Sequence, residues 1–398
     1  MKPQILEGSR AIALTIKNIK PSVVSAYPIT PQTHIVEDLA RFKADGEADY
    51  EYVRAESEFA AASIILGAAA TGVRAYSATS SQGLLLMTEV IFNIAGMRLP
   101  IVMTCANRAV SAPINIWNDQ QDVMTIRDSG WILLFAENHQ EALAQHILAY
   151  KIAEKLNLPV MVNVDGFVLT HTYEEVSIPT EKEIKKFLPD HQPKAGTYLD
   201  PENPRTFGAF ATPGDYMEIR QELHDDLISA LPVIKDEYEK YNKVIPIKKF
   251  QISNFKFQID NGLIEYYGPR KAKTVIITIG SVVGTIKDII DEKKSAGLFS
   301  GGVGVLKLKV FRPFPADELL KTLKMVGAKN IAVAEKAVSL GYSGPLYIDV
   351  KAALQGKISA KIKNFIIGLG GRDVTKEMIR DIITKAMKKS DELEFIGK

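Results

Sequence analysis

Cysteine is nearly absent from the 398 residues: Cys105 is the only one. One thiol excludes an internal disulfide, a CxxC redox pair, a four-thiolate zinc site and any iron–sulfur cluster held by this chain alone. A reducing cytoplasm fits such cysteine usage. An excess of one charge is lacking too. Against 47 acidic side chains stand 49 basic ones, a net +2, far short of what nucleic-acid binding by phosphate neutralisation requires. Long apolar runs are also missing. The least polar stretch, Phe59 to Val73, is Ala-rich and broken by Ser63, Gly67 and Gly72, and it falls short of the roughly 18 residues of a spanning helix. Met1 to Arg10 hold no apolar segment of a secretory signal, with Glu7 and Arg10 coming early, so neither export nor a membrane partner is expected. No solenoid-type repeat or low-complexity segment is visible.

What is present is the composition of an ordinary globular chain. Hydrophobic residues make up 46% and charged residues 24%, which argues against a disordered or fibrous class. The length exceeds one ordinary core and implies two domains or three.

From Ser9 to about Val164, short apolar runs alternate with helix-period segments, the pattern of a doubly wound α/β domain with a parallel sheet. Six strands are expected, at 23–26, 50–53, 75–79, 100–105, 132–135 and 160–164. Ser9 can cap a helix whose Ile12, Ala13, Ile16 and Ile19 share a face. The alternation is lost between His171 and Ile247, where a long amphipathic helix over about 215–241 reads as an extended arm. After a polar stretch, 248–273, strands are expected again at 274–279, 303–309, 331–334 and 364–367. The predicted division is therefore 1–245, a doubly wound domain with its arm, and 246–398, a smaller α/β domain.

In doubly wound sheets ligands bind beyond the carboxyl ends of the strands, so polar turns that follow strands are the candidate sites. Tyr27-Pro28-Ile29-Thr30-Pro31-Gln32 is stiffened by two prolines that would hold the Thr30 hydroxyl in one position, or it is simply a rigid turn. Arg54-Ala55-Glu56-Ser57-Glu58 leads into the Ala-rich helix 59–70. A carboxylate there meets opposing influences, since the helix dipole favours its ionised form and apolar burial its protonated form. An ordinary first-turn helix carboxylate is the plainer alternative. Thr79-Ser80-Ser81-Gln82-Gly83 is a small-residue loop able to bring backbone N–H groups near a ligand, or merely a tight connection. The long polar segment from Asn107 to Asp122 carries Arg108, whose guanidinium can pair bidentately with a carboxylate or form an ordinary loop salt bridge.

At these turns the chain resembles the alpha subunit of the pyruvate:ferredoxin oxidoreductase family. The segments that carry the resemblance are YPITPQT (27–33), ESEFAAA (56–62), ATSSQGLLLM (78–87), NRAVSAPINIWNDQQD (107–122) and RDSGW (127–131). It continues through LDPENPRTFGAFATPGDYMEIR (199–220) and FRPFP (311–315), and so covers nearly the whole chain. The resemblance implies a pyrimidine-binding thiamine diphosphate domain over 1–245, followed by a transketolase C-terminal-like domain. It assigns to Glu58, with Glu56 close by, the proton exchange with the aminopyrimidine ring, and it sets Tyr27 and Pro28 beside the cofactor. Thr30 and Arg108 take the substrate carboxylate and later help to orient coenzyme A.

Nothing in the chain resembles the GDG…N segment that binds magnesium diphosphate. The resemblance therefore implies that thiamine diphosphate is shared with a beta subunit and that Mg2+ and [4Fe-4S] clusters sit on partners. Those partners are the beta, gamma and delta subunits, separate or fused, with ferredoxin, coenzyme A and pyruvate as reactants. Thr at position 30, where a relative acting on oxalate is expected to place a second positive charge, implies a monocarboxylate such as pyruvate, and SAPINIWND resembles the pyruvate form more than the branched-chain form that acts on 2-oxoisovalerate. A non-catalytic scaffold subunit, its polar turns purely structural, is the competing class. Trp117 and Trp131 are expected to serve packing, and Gly280-Ser281 and Gly370-Gly371-Arg372-Asp373 turn chemistry alone. His34, His139, His146, His171, His191 and His224 look too scattered for a metal site.

Overall fold

Residues 2–245, 257–293, 302–388 and 392–398 are described by the computed structural model. The chain opens with β1 (Gln4–Glu7), α1 (Gly8–Ile19), β2 (Val23–Ala26), α2 (Thr33–Ala44), β3 (Glu51–Arg54), α3 (Glu58–Ala70), β4 (Ala75–Thr79), α4 (Ser81–Leu86) and α5 (Thr88–Gly96). Next come β5 (Val102–Asn107), α6 (Gln121–Thr125), β6 (Ile132–Phe135), α7 (His139–Leu156), β7 (Val160–Asp165), β8 (Tyr173–Val176), α8 (Glu181–Phe187) and α9 (Tyr216–Val244). The later part holds β9 (Gln258–Asp260), β10 (Ile264–Tyr267), β11 (Thr274–Thr278), α10 (Val282–Lys293), β12 (Val303–Leu308), β13 (Val310–Arg312) and α11 (Ala316–Val326). It closes with β14 (Asn330–Glu335), α12 (Pro345–Leu354), β15 (Lys361–Ile366), α13 (Lys376–Met387) and β16 (Leu393–Phe395).

Two seven-stranded sheets result, in the orders β13-β6-β7-β5-β4-β2-β3 and β16-β15-β14-β11-β12-β10-β9. In the first, β2 to β7 run parallel, as the six expected strands require. Residues of β4, β5, β6 and β7 are buried throughout, the reason these strands read as continuous apolar runs. Helices close both faces. Ile12, Ile16 and Ile19 of α1 are all buried, each worth about 1.5–3 kcal/mol relative to exposure. The Ala-rich α3 has small side chains on nearly every side, so it can lie close to β2 and β4. No helix among the described residues is long and apolar enough to cross a membrane.

The chain departs from the sequence expectations at several points. Ser9 does not cap α1: Glu7 holds the cap position without a side-chain bond, and the buried Ser9 hydroxyl donates to Thr170 O at 2.9 Å. Because β1 runs straight into the helix, no exposed cap position is left for Ser9. The segment from His171 to Ile247 is more regular than predicted. There β8 pairs antiparallel with β1, and α8 opens with a Thr180–Glu183 capping box.

The stretch 248–273, expected to be a polar connection, contains β9 and the fully buried β10. Its charge is misleading because Glu265 points inward, where Lys287 (2.7 Å) and Lys307 (2.8 Å) neutralise it. The boundary expected at 245/246 adjoins residues 246–256, which lie outside the described residues. Strand β13, late in the chain, pairs antiparallel with β6 and so completes the edge of the first sheet.

Candidate active site

Strand order reverses between β2 and β4. From β2 the chain steps outward to β3, then returns to the other side of β2. Such a switch point leaves a crevice at the carboxyl ends of the strands, because the loops there diverge to opposite faces. The 27–32 turn, the start of α3, the start of α4 and the 107–122 loop all emerge at this edge.

A buried carboxylate, Asp122, ties these loops together. Its oxygens accept Ser81 N–H and Arg108 N–H at 3.0 Å each, Asn107 Nδ2 at 3.0 Å and Val123 N–H at 2.7 Å. Full burial raises its pKa, and the four donors oppose that rise. Ser81 adopts φ +46°, a left-handed conformation that costs a residue with Cβ on the order of 1–3 kcal/mol. It is held there by the Asp122 bond and by its hydroxyl, which donates to Ala109 O at 2.5 Å. Gly166 at the end of β7 lets the 27–32 turn approach: a Cβ there would lie 2.5 Å from Asn107 O and 2.7 Å from Pro31 Cγ. Gln32 fixes the far end of that turn by donating to Ala78 O at 2.5 Å.

On this frame Arg108 and Thr30 come together. The Arg108 guanidinium donates to Thr30 O at 2.9 Å and to Asn115 O at 3.1 Å. It makes no salt bridge among the described residues, so it is not the ordinary loop ion pair. Burial lowers its pKa, with Asp122 opposing. Thr30, Tyr27 and Pro28 are exposed on the rim.

Glu58 and Glu56, adjacent in sequence, have opposite surroundings. Glu56 is exposed, whereas Glu58 is only 8% exposed. Ser57 caps α3 by accepting Ala60 N–H at 3.1 Å, which turns Glu58 into the first helical turn and toward the sheet. Among the described residues its carboxylate has no hydrogen-bond or ion-pair partner. It faces Gly83 of α4, where a Cβ would stand 2.8 Å from Glu58 Oε1 and 2.6 Å from Thr79 Oγ1. Thr79 Oγ1 and Gln82 Nε2 are themselves buried without partners. The Glu58 carboxylate and the Thr79 hydroxyl thus face the same space beside Gly83 without protein partners, an arrangement suited to a flat, hydrogen-bonding ligand.

The second half of the chain reaches this site, which the sequence reading missed. Asp165, at the end of β7, accepts Ser281 N–H at 2.9 Å, Gln120 Nε2 at 2.9 Å and Lys336 Nζ at 3.1 Å. Burial pushes Asp165 up, but Lys336 and the Ser281 bonds outweigh it and leave its pKa below the usual value. Lys336 also donates to Asn118 Oδ1 at 2.8 Å. Asp119 accepts Gly370 N–H at 3.2 Å, and burial pushes its pKa up to about 6. The segments 280–281 and 370–371 therefore do more than turn the chain, since they clamp the loop that carries Arg108. Trp117, expected to pack, is 54% exposed because its loop runs over the surface between the halves, with the ring near Gly371 and Phe167. Trp131 is buried, donating to Ile91 O at 2.8 Å.

Beyond the crevice, Lys307 and Lys309 are buried among Glu137, Glu141, Glu265 and Asp260. They line a cavity of about 600 Å3 that none of Glu58, Thr30 and Arg108 borders. His34 and His171, far apart in sequence, stand with ring centroids 4.6 Å apart.

Comparison with known proteins matches residues 15–240 to a family model described as pyruvate flavodoxin/ferredoxin oxidoreductase, thiamine diphosphate-binding. Residues 272–379 match one described as pyruvate:ferredoxin oxidoreductase core domain II. The chain is 47% identical over 392 residues to the pyruvate synthase subunit PorA of Methanocaldococcus jannaschii, covering 98% of this chain and 96% of that one. It is 40% identical over 389 residues to the ketoisovalerate oxidoreductase subunit VorA of Pyrococcus horikoshii, covering 97% and 94%. In structure it is similar to a 2-oxoglutarate:ferredoxin oxidoreductase from Magnetococcus marinus, with TM-score 0.71 and 21% identity, over 97% of this chain and 65% of that one. At that identity the likeness is one of fold.

Proposed function

Because the chain belongs to the pyruvate flavodoxin/ferredoxin oxidoreductase family, we propose that it is the alpha-type subunit of a pyruvate:ferredoxin oxidoreductase. It takes part in the coenzyme A-dependent oxidative decarboxylation of pyruvate to acetyl-CoA and carbon dioxide, with electrons passing to ferredoxin. The higher identity to the pyruvate synthase subunit than to the ketoisovalerate subunit supports pyruvate over the branched acid. Thiamine diphosphate supplies the carbanion stabilisation that decarboxylation of a 2-oxoacid needs. The cradle of Glu58, Thr79 and Gly83 fits its aminopyrimidine ring.

The observation that carries the reading is the buried Glu58 carboxylate, without a protein partner and facing the space that Gly83 leaves open. In its proposed role it holds a proton at a ring nitrogen. Ser57, capping the helix, aims the carboxylate at the space beside Gly83, where it can meet that nitrogen. Arg108, fixed by two carbonyl oxygens and free of any carboxylate partner among the described residues, keeps positive charge for the substrate carboxylate. Thr30 lies within its reach. Tyr27 and Pro28 form the rim against which the cofactor lies.

The chain works in a complex with other subunits. We infer that a beta subunit holds the magnesium diphosphate end of the cofactor over the open rim. Gamma and delta subunits, separate or fused, carry the [4Fe-4S] clusters that serve ferredoxin, and the assembly is cytoplasmic. The proposed division of labour within the chain is 1–245 for the pyrimidine and 246–398 for bracing the Arg108 loop.

Glu58→Gln in the purified complex tests the assignment. Loss of a positioned proton-transfer group lowers turnover by about 10^2–10^4-fold, with thermal stability unchanged because no protein hydrogen bond is broken. Normal turnover removes Glu58 from the mechanism. Faster turnover on 2-oxoisovalerate than on pyruvate would overturn the substrate.

A further inference from the structure

We propose that Glu7, His34 and His171 form a binding site for a divalent transition-metal ion, zinc by preference, built from residues other than those that frame Glu58. Each residue offers one ligand atom, and the three atoms lie within 4.8 Å of one another. They come from three segments that only the fold unites: the end of β1, the first turn of α2 and the turn after β7. Two imidazoles and one carboxylate suit zinc in donor type and count, leaving a fourth position open to water.

The surroundings are arranged as a ligand set requires. Thr170 Oγ1 accepts Phe167 N–H at 2.8 Å and lies 2.7 Å from His171 Nδ1. That contact holds the ring in place through Nδ1, and in the tautomer protonated there His171 Nε2 would be free to ligate. Phe167 covers the other side of the His171 ring, at 4.7 Å between centroids. Donors around tetrahedral zinc lie about 3.3 Å apart, from bond lengths near 2.0 Å. Closing the remaining gap needs side-chain rotation only, since His34 is 46% exposed and Glu7 reaches in on a flexible stem. The Glu7 carboxylate and two neutral imidazoles give the dication one balancing charge. Bound there, the ion would tie β1 and the helix that follows the Thr30 turn to the turn after β7.

The test uses the full complex, treated with chelator and then titrated with Zn2+ by calorimetry, with metal analysis and zinc K-edge X-ray absorption. About one tightly held zinc ion per chain is expected, with imidazole scattering in the spectrum and a melting temperature raised by zinc. His34→Ala, at a half-exposed position, loses that equivalent and the thermal shift, and the near-isosteric Glu7→Gln weakens both. The 2.6 Å contact of His34 Nδ1 with Glu7 Oε1 is the whole interaction, and the proposal is overturned, if wild type and His34→Ala retain equal zinc or the spectrum shows no imidazole. Neither outcome depends on Glu58 or on turnover.

Discussion

Gly83→Ala probes the cradle most directly, because two effects of opposite sign meet at that position. Gly83 lies within α4, and alanine is better than glycine inside a helix by about 0.8–1.0 kcal/mol. The added methyl, however, would stand 2.6 Å from Thr79 Oγ1 and 2.8 Å from Glu58 Oε1. No Cβ tolerates either distance, so the carboxylate must turn away. Overpacking of this kind costs about 1–3 kcal/mol, so the fold loses between nothing and about 2 kcal/mol, a small fall in melting temperature.

The larger effect falls on the cofactor. A displaced carboxylate forfeits one charged hydrogen bond, about 1.5–3 kcal/mol, which is on the order of 10–150-fold in affinity. The assay titrates thiamine diphosphate into cofactor-free complex, reading binding by circular dichroism and recovered turnover separately. If Gly83→Ala binds cofactor as tightly as wild type and turns over normally, the argument that Glu58 and Gly83 frame the ring is wrong.

Other perturbations follow the same logic. Arg108→Lys keeps the charge but cannot hold both Thr30 O and Asn115 O, so kcat/KM for pyruvate should fall by about 10–150-fold; an unchanged value would refute its role. Asp165→Asn leaves Lys336 buried without its charge partner, a cost of about 3–5 kcal/mol by urea denaturation at pH 7. Since the folded-state pKa of Asp165 is depressed, its contribution is present above the unfolded value, near 4, and is lost as pH falls through the folded one. The gap between wild type and variant should therefore close in acid. Asp119 behaves oppositely: with its pKa raised to about 6, the folded state holds a proton that the unfolded state releases. Stability falls as pH rises from about 4 to about 6, by at most about 3 kcal/mol, and Asp119→Asn should flatten that slope.

Periodicity alone disclosed much of the architecture. The runs at 23–26, 75–79 and 132–135 are strands with those same bounds, because a strand covered on both faces carries apolar and small residues and no charge along its length. The polar turns after them were legible as candidates from their place alone, since ligands of doubly wound sheets bind beyond the carboxyl ends of the strands. Segments whose charge is neutralised internally were not legible. Strand β10 looked like a connection because Glu265 reads as solvent-facing until Lys287 and Lys307 are seen beside it.

The sequence by itself determined an α/β chain, the strand and helix alternation of its first sheet, and which polar turns follow those strands, since these follow from local period and residue type. Only the tertiary structure decided that Glu58 and not Glu56 is buried, and that Lys336 anchors the Arg108 loop through Asp165, 171 positions away. It also brought His34 to His171 and joined β13 to the first sheet. Contacts between distant segments depend on how helices and sheets stack, and a one-dimensional pattern of hydrophobicity and charge carries no measure of that stacking.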